Sequence, residues 1–278
     1  MDILETITAH KRKEVARQKE AVPLELLFGI GSHRMSRTTL SMCQALEQSP
    51  TGIIAEFKRR SPSKGWLFPQ AKVEEIVPAY ERCGAGACSI LTDSDFFGGS
   101  FSDLQGARLL VQLPLLRKDF IIDEYQVYQS RVLGADTILL IAACLTKEAC
   151  KNLAQIAHQL ELEVLLEVHT ESELSYLNEY VDMLGVNNRN LGTLHTDVEN
   201  SFRMIEFIEK ETGADRDAPL FVSESGISDL TVIKKLRDAG FRGFLIGETL
   251  MSNVIASLRS NPENISLLDC FVPRNDGK

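Results

Sequence analysis

The stretch Gly52-Ile53-Ile54-Ala55-Glu56-Phe57-Lys58-Arg59-Arg60-Ser61-Pro62-Ser63-Lys64-Gly65 decides the fold. It opens apolar and turns abruptly charged. In an extended chain successive side chains point to opposite faces. Ile54, Glu56 and Lys58 therefore share one face, and Ala55 and Phe57 share the other. A carboxylate and an ammonium stand where a core strand carries aliphatics. Buried ions are costly unless they are paired and hydrogen-bonded. The pair reads either as an exposed salt bridge at a strand end or as the floor of an active site. Ser61-Pro62-Ser63-Lys64-Gly65 then breaks the strand.

Outward from this stretch the chain alternates. Apolar β-type runs recur at Ala87–Thr92, Leu115–Lys118, Thr137–Ile141, Val164–Val168, Met183–Asn187, Phe221–Ser223 and Phe244–Ile246, after Ile53–Phe57 as the first. Helical patterns lie between them at Val73–Cys83, Glu124–Leu133, Lys147–Leu160, Glu171–Tyr180, Val198–Glu209, Leu230–Ala239 and Glu248–Leu258. Asp123, Thr146, Thr170, Asp197 and Asp229 stand as N-caps, and Gly134 and Gly240 as stops. Alternating strands and helices imply parallel βαβ units. Eight of them predict one α/β domain, a closed (β/α)8 TIM barrel over residues 51–260. An open doubly wound sheet is the alternative, and the Gly-rich dinucleotide turn it would carry after the first strand is missing.

Residues 1–50 precede the barrel. Ile3, Leu4, Ile7 and Val15 give a partial helical stripe, surrounded by His10, Lys11, Arg12, Lys13, Arg17 and Lys19. This is either a solvated basic face or a helical cap over one barrel end. Leu40–Leu46 reads as a second short helix, and Pro273–Lys278 as a frayed tail.

The 278 residues are 44% hydrophobic and 25% charged, an ordinary balance for a globular protein. A net charge of -9 argues against nucleic acid as a partner but not against a small anion in a local basic pocket. No apolar run is long enough to span a membrane, and the N-terminus does not read as a secretory leader, so a cytoplasmic protein is expected. The six cysteines form no C-x-x-C pair and have no histidine at zinc spacing. Free thiols and no metal are expected.

In a (β/α)8 barrel the active site lies at the C-terminal ends of the strands, and there the polar residues gather. Glu56 and Lys58 end the first run. Leu116, Lys118 and Phe120 share a face at the end of the third. Leu165 and Glu167 share one at the end of the fifth. Asn187, Asn188, Arg189 and Asn190 follow the sixth, Glu224-Ser225-Gly226 the seventh and Gly247-Glu248 the eighth. Each has a plainer alternative: Lys118 could reach solvent or pair with Asp119, Glu167 could cap a helix, the asparagines could serve turns, and His169 reads as structural. Two lysines and two carboxylates together are what general acid–base chemistry requires. Ser225-Gly226 and Gly247-Glu248 place glycines before helices, where backbone N–H groups attract anions. Ser61 and Ser63 could add hydroxyls. Phe96-Phe97-Gly98-Gly99-Ser100 reads as a core plug or, with Phe120, as the favoured wall for a flat ring.

These motifs resemble the indole-3-glycerol phosphate synthase family. Glu-Phe-Lys-Arg-Arg-Ser-Pro-Ser-Lys-Gly, Leu-Thr-Asp-Ser-Asp-Phe-Phe-Gly-Gly-Ser, Leu-Arg-Lys-Asp-Phe-Ile-Ile-Asp, Gly-Val-Asn-Asn-Arg-Asn-Leu, Ser-Glu-Ser-Gly-Ile and Leu-Ile-Gly-Glu-Thr-Leu-Met occur in order and at the expected spacing. The resemblance implies closure of 1-(2-carboxyphenylamino)-1-deoxyribulose 5-phosphate to indole-3-glycerol phosphate, with loss of carbon dioxide and water. It implies no cofactor. By position it gives Lys118 the role of general acid. Lys58 becomes the contact to the substrate carboxylate, Glu167 the base, and Glu56 a tuning carboxylate. Asn187, Arg189, Ser61, Phe97, Phe120 and Glu224 become substrate contacts, and Ser225, Gly226, Gly247 and Glu248 a phosphate cradle. It leaves the dehydration acid open between Lys58 and Lys118. It makes the N-terminal helix a cap on the barrel top. Asn190 departs from the aspartate common at this position. A monomer is expected, with association with other tryptophan-pathway enzymes left open. Two alternatives remain. A phosphoribosylanthranilate isomerase would need a cysteine at the end of the first strand. A catalytically silent sugar-phosphate-binding barrel would have lost a lysine or a glutamate.

Overall fold

The structure is a computed structural model. It describes residues 3–190, 195–212 and 218–260. Pro273–Lys278 and Cys270 lie outside the described residues.

Eight parallel strands close into a barrel. They are β1 (Ile53–Phe57), β2 (Ala87–Leu91), β3 (Leu115–Lys118), β4 (Thr137–Ile141), β5 (Glu163–Val168), β6 (Met183–Asn187), β7 (Leu220–Glu224) and β8 (Gly243–Ile246). Each pairs with its neighbours in sequence, and β1 closes on β8 through Ile54 opposite Leu245. The parity expected of β1 holds all round. Ile54, Ala87, Leu116, Leu139, Leu165, Met183, Val222 and Leu245 fill the interior as one cluster. Ala55, Phe57, Cys88, Ile90, Leu115, Ile138 and Leu166 face outward into the cluster beneath the helices.

The outer helices are α4 (Val73–Arg82), α5 (Phe101–Leu110), α6 (Glu124–Leu133), α7 (Lys147–Gln159), α8 (Glu199–Thr212), α9 (Leu230–Asp238) and α10 (Glu248–Ser260). Asp123, Thr146 and Asp229 cap their helices, and Gly134 ends α6 in the left-handed conformation. Two expectations change. Glu171–Tyr176 is a short 3₁₀ turn, not a helix running to Tyr180. Leu174, Tyr176, Leu177 and Tyr180 turn onto the core there. α5 was not signalled by the sequence, because Gly106 interrupts its pattern. Glycine disfavours a helix interior, yet a side chain at Gly106 would press on Val73 of α4.

Three helices precede the barrel: α1 (Ile3–Ala21), α2 (Leu24–Met35) and α3 (Met42–Gln48). α2, also unsignalled, packs on α6, where Gly31 leaves room for Val132. α3 covers the bottom: Glu163 at the start of β5 accepts from Met42 N at 2.6 Å and Cys43 N at 3.1 Å. α1 lies across the top. The solvated reading of its basic face fails at Lys11, which is 1% exposed in the same stripe as Leu4, Ile7 and Val15. Cys43, Cys88 and Cys150 are free thiols as expected.

Candidate active site

The top layer of inward side chains forms a cavity of about 350 Å³. Parity puts Glu56, Lys58, Leu91, Lys118, Ile141, Glu167, Asn187, Glu224 and Gly247 on its floor, because each lies two residues beyond a core position or continues that face. All of them line the cavity. So do Ser61, Phe97, Phe120, Arg189, Ser225, Gly226 and Glu248. Ile3, Leu4 and Ile7 of α1 add an apolar wall that was not assigned to the site from the sequence.

The charges are paired. Lys118 Nζ lies 3.1 Å from Glu167 Oε2 and 3.6 Å from Glu224 Oε2, not against Asp119. Lys58 donates to Glu56 at very short range. Asn187 Nδ2 donates to Glu167 Oε1 at 3.0 Å, and His169 Nε2 lies 3.3 Å from the same oxygen. His169 also lies 3.6 Å from Glu173. It belongs to the network rather than merely to the loop.

Burial fixes the titration of these groups against their partners. Burial alone would lower the Lys118 pKa, but Glu167, Glu224 and Glu56 outweigh it and hold the ammonium above the ordinary lysine value. Burial raises Glu167 and Glu56, yet neighbouring lysines hold both below the usual carboxylate range. Glu224 goes the other way, pushed up to about 8 by burial and by Glu167. A side chain at Gly185 would collide with its Oε1. For His169 burial opposes charge, but Glu167 and Glu173 raise it to about 9.

The aromatic wall is formed by Phe97 and Phe120, with ring centroids 6.0 Å apart and tilted by 38°. Phe96 instead meets His10 edge-on at 5.5 Å. At the opposite rim Ser225 and Gly226 both have positive φ, +69° and +77°. Asn188 braces this turn through Ser225 O at 3.0 Å. Gly226 does not abut a helix start: α9 begins at Leu230, and Asp229 already accepts from Thr231 N and Val232 N. Gly247 does abut α10, and its missing side chain makes room for the Glu56 carboxylate. Glu248 pairs with Lys64 at 2.7 Å, joining the β1 loop to the β8 loop.

The chain matches the indole-3-glycerol phosphate synthase family over residues 4–260. It is 58% identical to the indole-3-glycerol phosphate synthase of Bacteroides thetaiotaomicron over 251 residues, spanning 90% of this chain and 93% of that protein. It is 39% identical to the one from Polaromonas naphthalenivorans over 273 residues, spanning 97% and 98%. This chain belongs to the indole-3-glycerol phosphate synthase family. It is a carboxy-lyase of tryptophan biosynthesis: it closes 1-(2-carboxyphenylamino)-1-deoxyribulose 5-phosphate to indole-3-glycerol phosphate, releasing carbon dioxide and water. The isomerase alternative is not favoured.

Solved structures add the fold alone. An N-acetylmannosamine-6-phosphate 2-epimerase from Clostridium perfringens superposes with a TM-score of 0.56 at 14% identity, covering 78% of this chain and 95% of that one. Tryptophan synthase subunit alpha from Legionella pneumophila gives 0.54 at 11% identity, covering 79% and 90%. The N-terminal helix lies over the barrel top as the resemblance implies, but from the sequence Lys11 reads as solvated and His169 as structural. Both had a signal: Lys11 follows Ile7 by four residues and precedes Val15 by four, one helix face, and His169 continues the Glu167 face by two.

Proposed function

We propose that the inward top layer carries the reaction as follows. The ring carbon that bears the carboxylate attacks the ketone carbon, and Lys118 gives a proton to the ketone oxygen as charge builds there. Loss of carbon dioxide restores the aromatic ring. The new hydroxyl then leaves as water, with Lys58 or Lys118 as acid, while Glu167 takes a proton from the new ring. Glu56 orients Lys58, which faces the substrate carboxylate. Asn187 and Arg189 orient the chain of the sugar. The observation that carries this reading is the Lys118–Glu167 contact: a charged, proton-bearing lysine beside a carboxylate held ionised. A lysine with a raised pKa is protonated near neutrality and so has a proton to give as negative charge builds on the ketone oxygen.

Phe97 and Phe120 hold the anthranilate ring. The phosphate lies at the rim formed by Ser225, Gly226 and Gly247, where Lys64 neutralises the charge of Glu248. Residues 1–50 act as a cap on the 51–260 barrel within a single domain. The chain works as a cytoplasmic monomer on a sugar phosphate, without nucleic acid or membrane. In support, no helix among the described residues is long and apolar enough to cross a membrane.

The test is direct. Purified protein is mixed with the anilino-ribulose phosphate, with no metal or cofactor added. Indole-type absorbance and fluorescence should grow at catalytic enzyme concentration. Folded protein that gives no such signal sinks the assignment.

A further inference from the structure

Lys11 of α1 is a buried cation that the reaction does not use. Its Nζ is reached by three carboxylates on three segments: Glu14 of its own helix at 2.7 Å, Asp93 after β2 at 2.8 Å and Asp119 after β3 at 2.9 Å. An ion pair this deep needs partners on all sides, and each distant partner also organises backbone. Asp93 Oδ1 accepts from Phe96 N at 2.8 Å, and the Asp93 carbonyl accepts from Gly99 N at 2.8 Å. These two bonds shape the loop that presents Phe97. Asp119 Oδ1 accepts from Phe120 N at 2.8 Å, while its Oδ2 is held by Thr92 Oγ1 and by Arg117. Asp119 thus sits between Lys118 and Phe120 with every oxygen engaged.

We infer that Lys11 is a positioning residue for the aromatic end of the substrate: one ammonium ties both phenylalanine-bearing loops to the helix that roofs the cavity. The roof and the two rings then move as one body. Leu4 and Ile7 lie on the same helix face as Lys11 and contribute to the same cavity. His10 repeats the tie next door, pairing with Asp95 at 2.7 Å and touching the Phe96 ring. Lys11 touches no reacting atom. It acts through Asp93 and Asp119, so its loss should blur where the ring sits, and small displacements of a reacting carbon cost much of the rate. This rests on Phe97 and Phe120 being the ring wall.

The experiment compares two inhibitors. One is the substrate with its ketone reduced to an alcohol, which carries ring and phosphate. The other is glycerol 3-phosphate, which carries phosphate alone. The variant is Lys11→Met with Asp93→Asn, removing one buried charge of each sign while leaving an acceptor for Phe96 N. Its affinity for the ring-bearing inhibitor should fall roughly tenfold or more, with kcat lowered by a similar factor. Glycerol 3-phosphate should bind within about twofold of the parent, since positioning errors stay local. Lys11→Arg should restore most of the ring affinity. Equal losses for both inhibitors, or none for either, overturn the proposal. If the double variant does not fold, Asp93→Asn alone supplies the same ratio, and an unchanged ratio overturns it. Phe120→Ala is the control for the underlying reading. If Phe120→Ala weakens the ring-bearing inhibitor and the Lys11 variant does not, Lys11 alone is misassigned. If neither does, the ring wall is.

Discussion

Lys118 on β3 and Glu167 on β5 meet at 3.1 Å although no hydrogen bond joins their strands. β4 lies between them, and its Leu139 and Ile141 line the same cavity. The contact is made through the barrel interior, not along the sheet. Only a closed barrel gives two such strands a shared floor, so the fold and the acid–base pair depend on one another.

Lys58 differs from Lys118 because its partner is Glu56 on its own strand. Lys58→Met should leave the buried Glu56 without its nearest cation and the substrate carboxylate without a contact. We expect KM to rise by roughly tenfold or more, with kcat also reduced. Steady-state kinetics check this, and an unchanged KM removes Lys58 from the carboxylate site.

Phe120→Ala removes one face of the ring wall and leaves a space beside Phe97. Truncating a buried aromatic costs about 3–5 kcal/mol of stability, so the assay belongs well below the melting temperature. Both kcat and KM should suffer, because the ring is held and aimed by the same surface. Native kinetics would show that the ring sits elsewhere.

The phosphate rim calls for a probe other than glycine replacement. A side chain at Gly226 would be strained at φ +77° and would crowd Thr196 and Val198. Ser228, on the cavity rim, avoids both difficulties. Ser228→Asp should raise KM by about one to two orders of magnitude through repulsion of the phosphate, with kcat within a few-fold. A fall in kcat at constant KM would move the phosphate away from this rim.

His169 gives a pH prediction. Its pKa is raised from 6.5 to about 9, so the folded protein holds that proton more tightly than the unfolded chain. A raised folded pKa means stability fully present below pH 6.5 and lost as pH rises through about 9. Glu224, raised to about 8, makes stability fall earlier, from its ordinary carboxylate pKa upward. Comparing variants separates the two. His169→Gln should flatten the decline in Tm between pH 6.5 and about 9 relative to the parent. Parallel Tm curves would show that His169 is neutral in the fold.

Much of this was legible in the sequence, for physical reasons that differ by residue. Period-2 alternation carries face information, so Glu56, Lys118 and Glu167 could be placed in the interior from Ile54, Leu116 and Leu165. Caps announce themselves locally, so Asp123, Thr146 and Asp229 marked helix starts. What is set by long-range contact was not legible. Gly106 and Gly31 look like helix breakers until Val73 and Val132 are seen to need the room. Lys11 looks solvated until Asp93 and Asp119, more than eighty residues on, are brought to it by the barrel. The raised Lys118 pKa is of the same kind: Glu167, Glu224 and Glu56 come from three other strands, and no local pattern gives their distances.

The central claim is that Lys118 donates the proton on which ring closure depends. An interaction realised only toward the transition state lowers kcat when removed and leaves KM nearly untouched. Lys118→Met keeps a side chain of similar length and packing. Measured at saturating substrate, with folding checked by circular dichroism, its kcat should fall by roughly 10²–10⁴. A kcat within about threefold of the parent, well short of that range, would contradict the account.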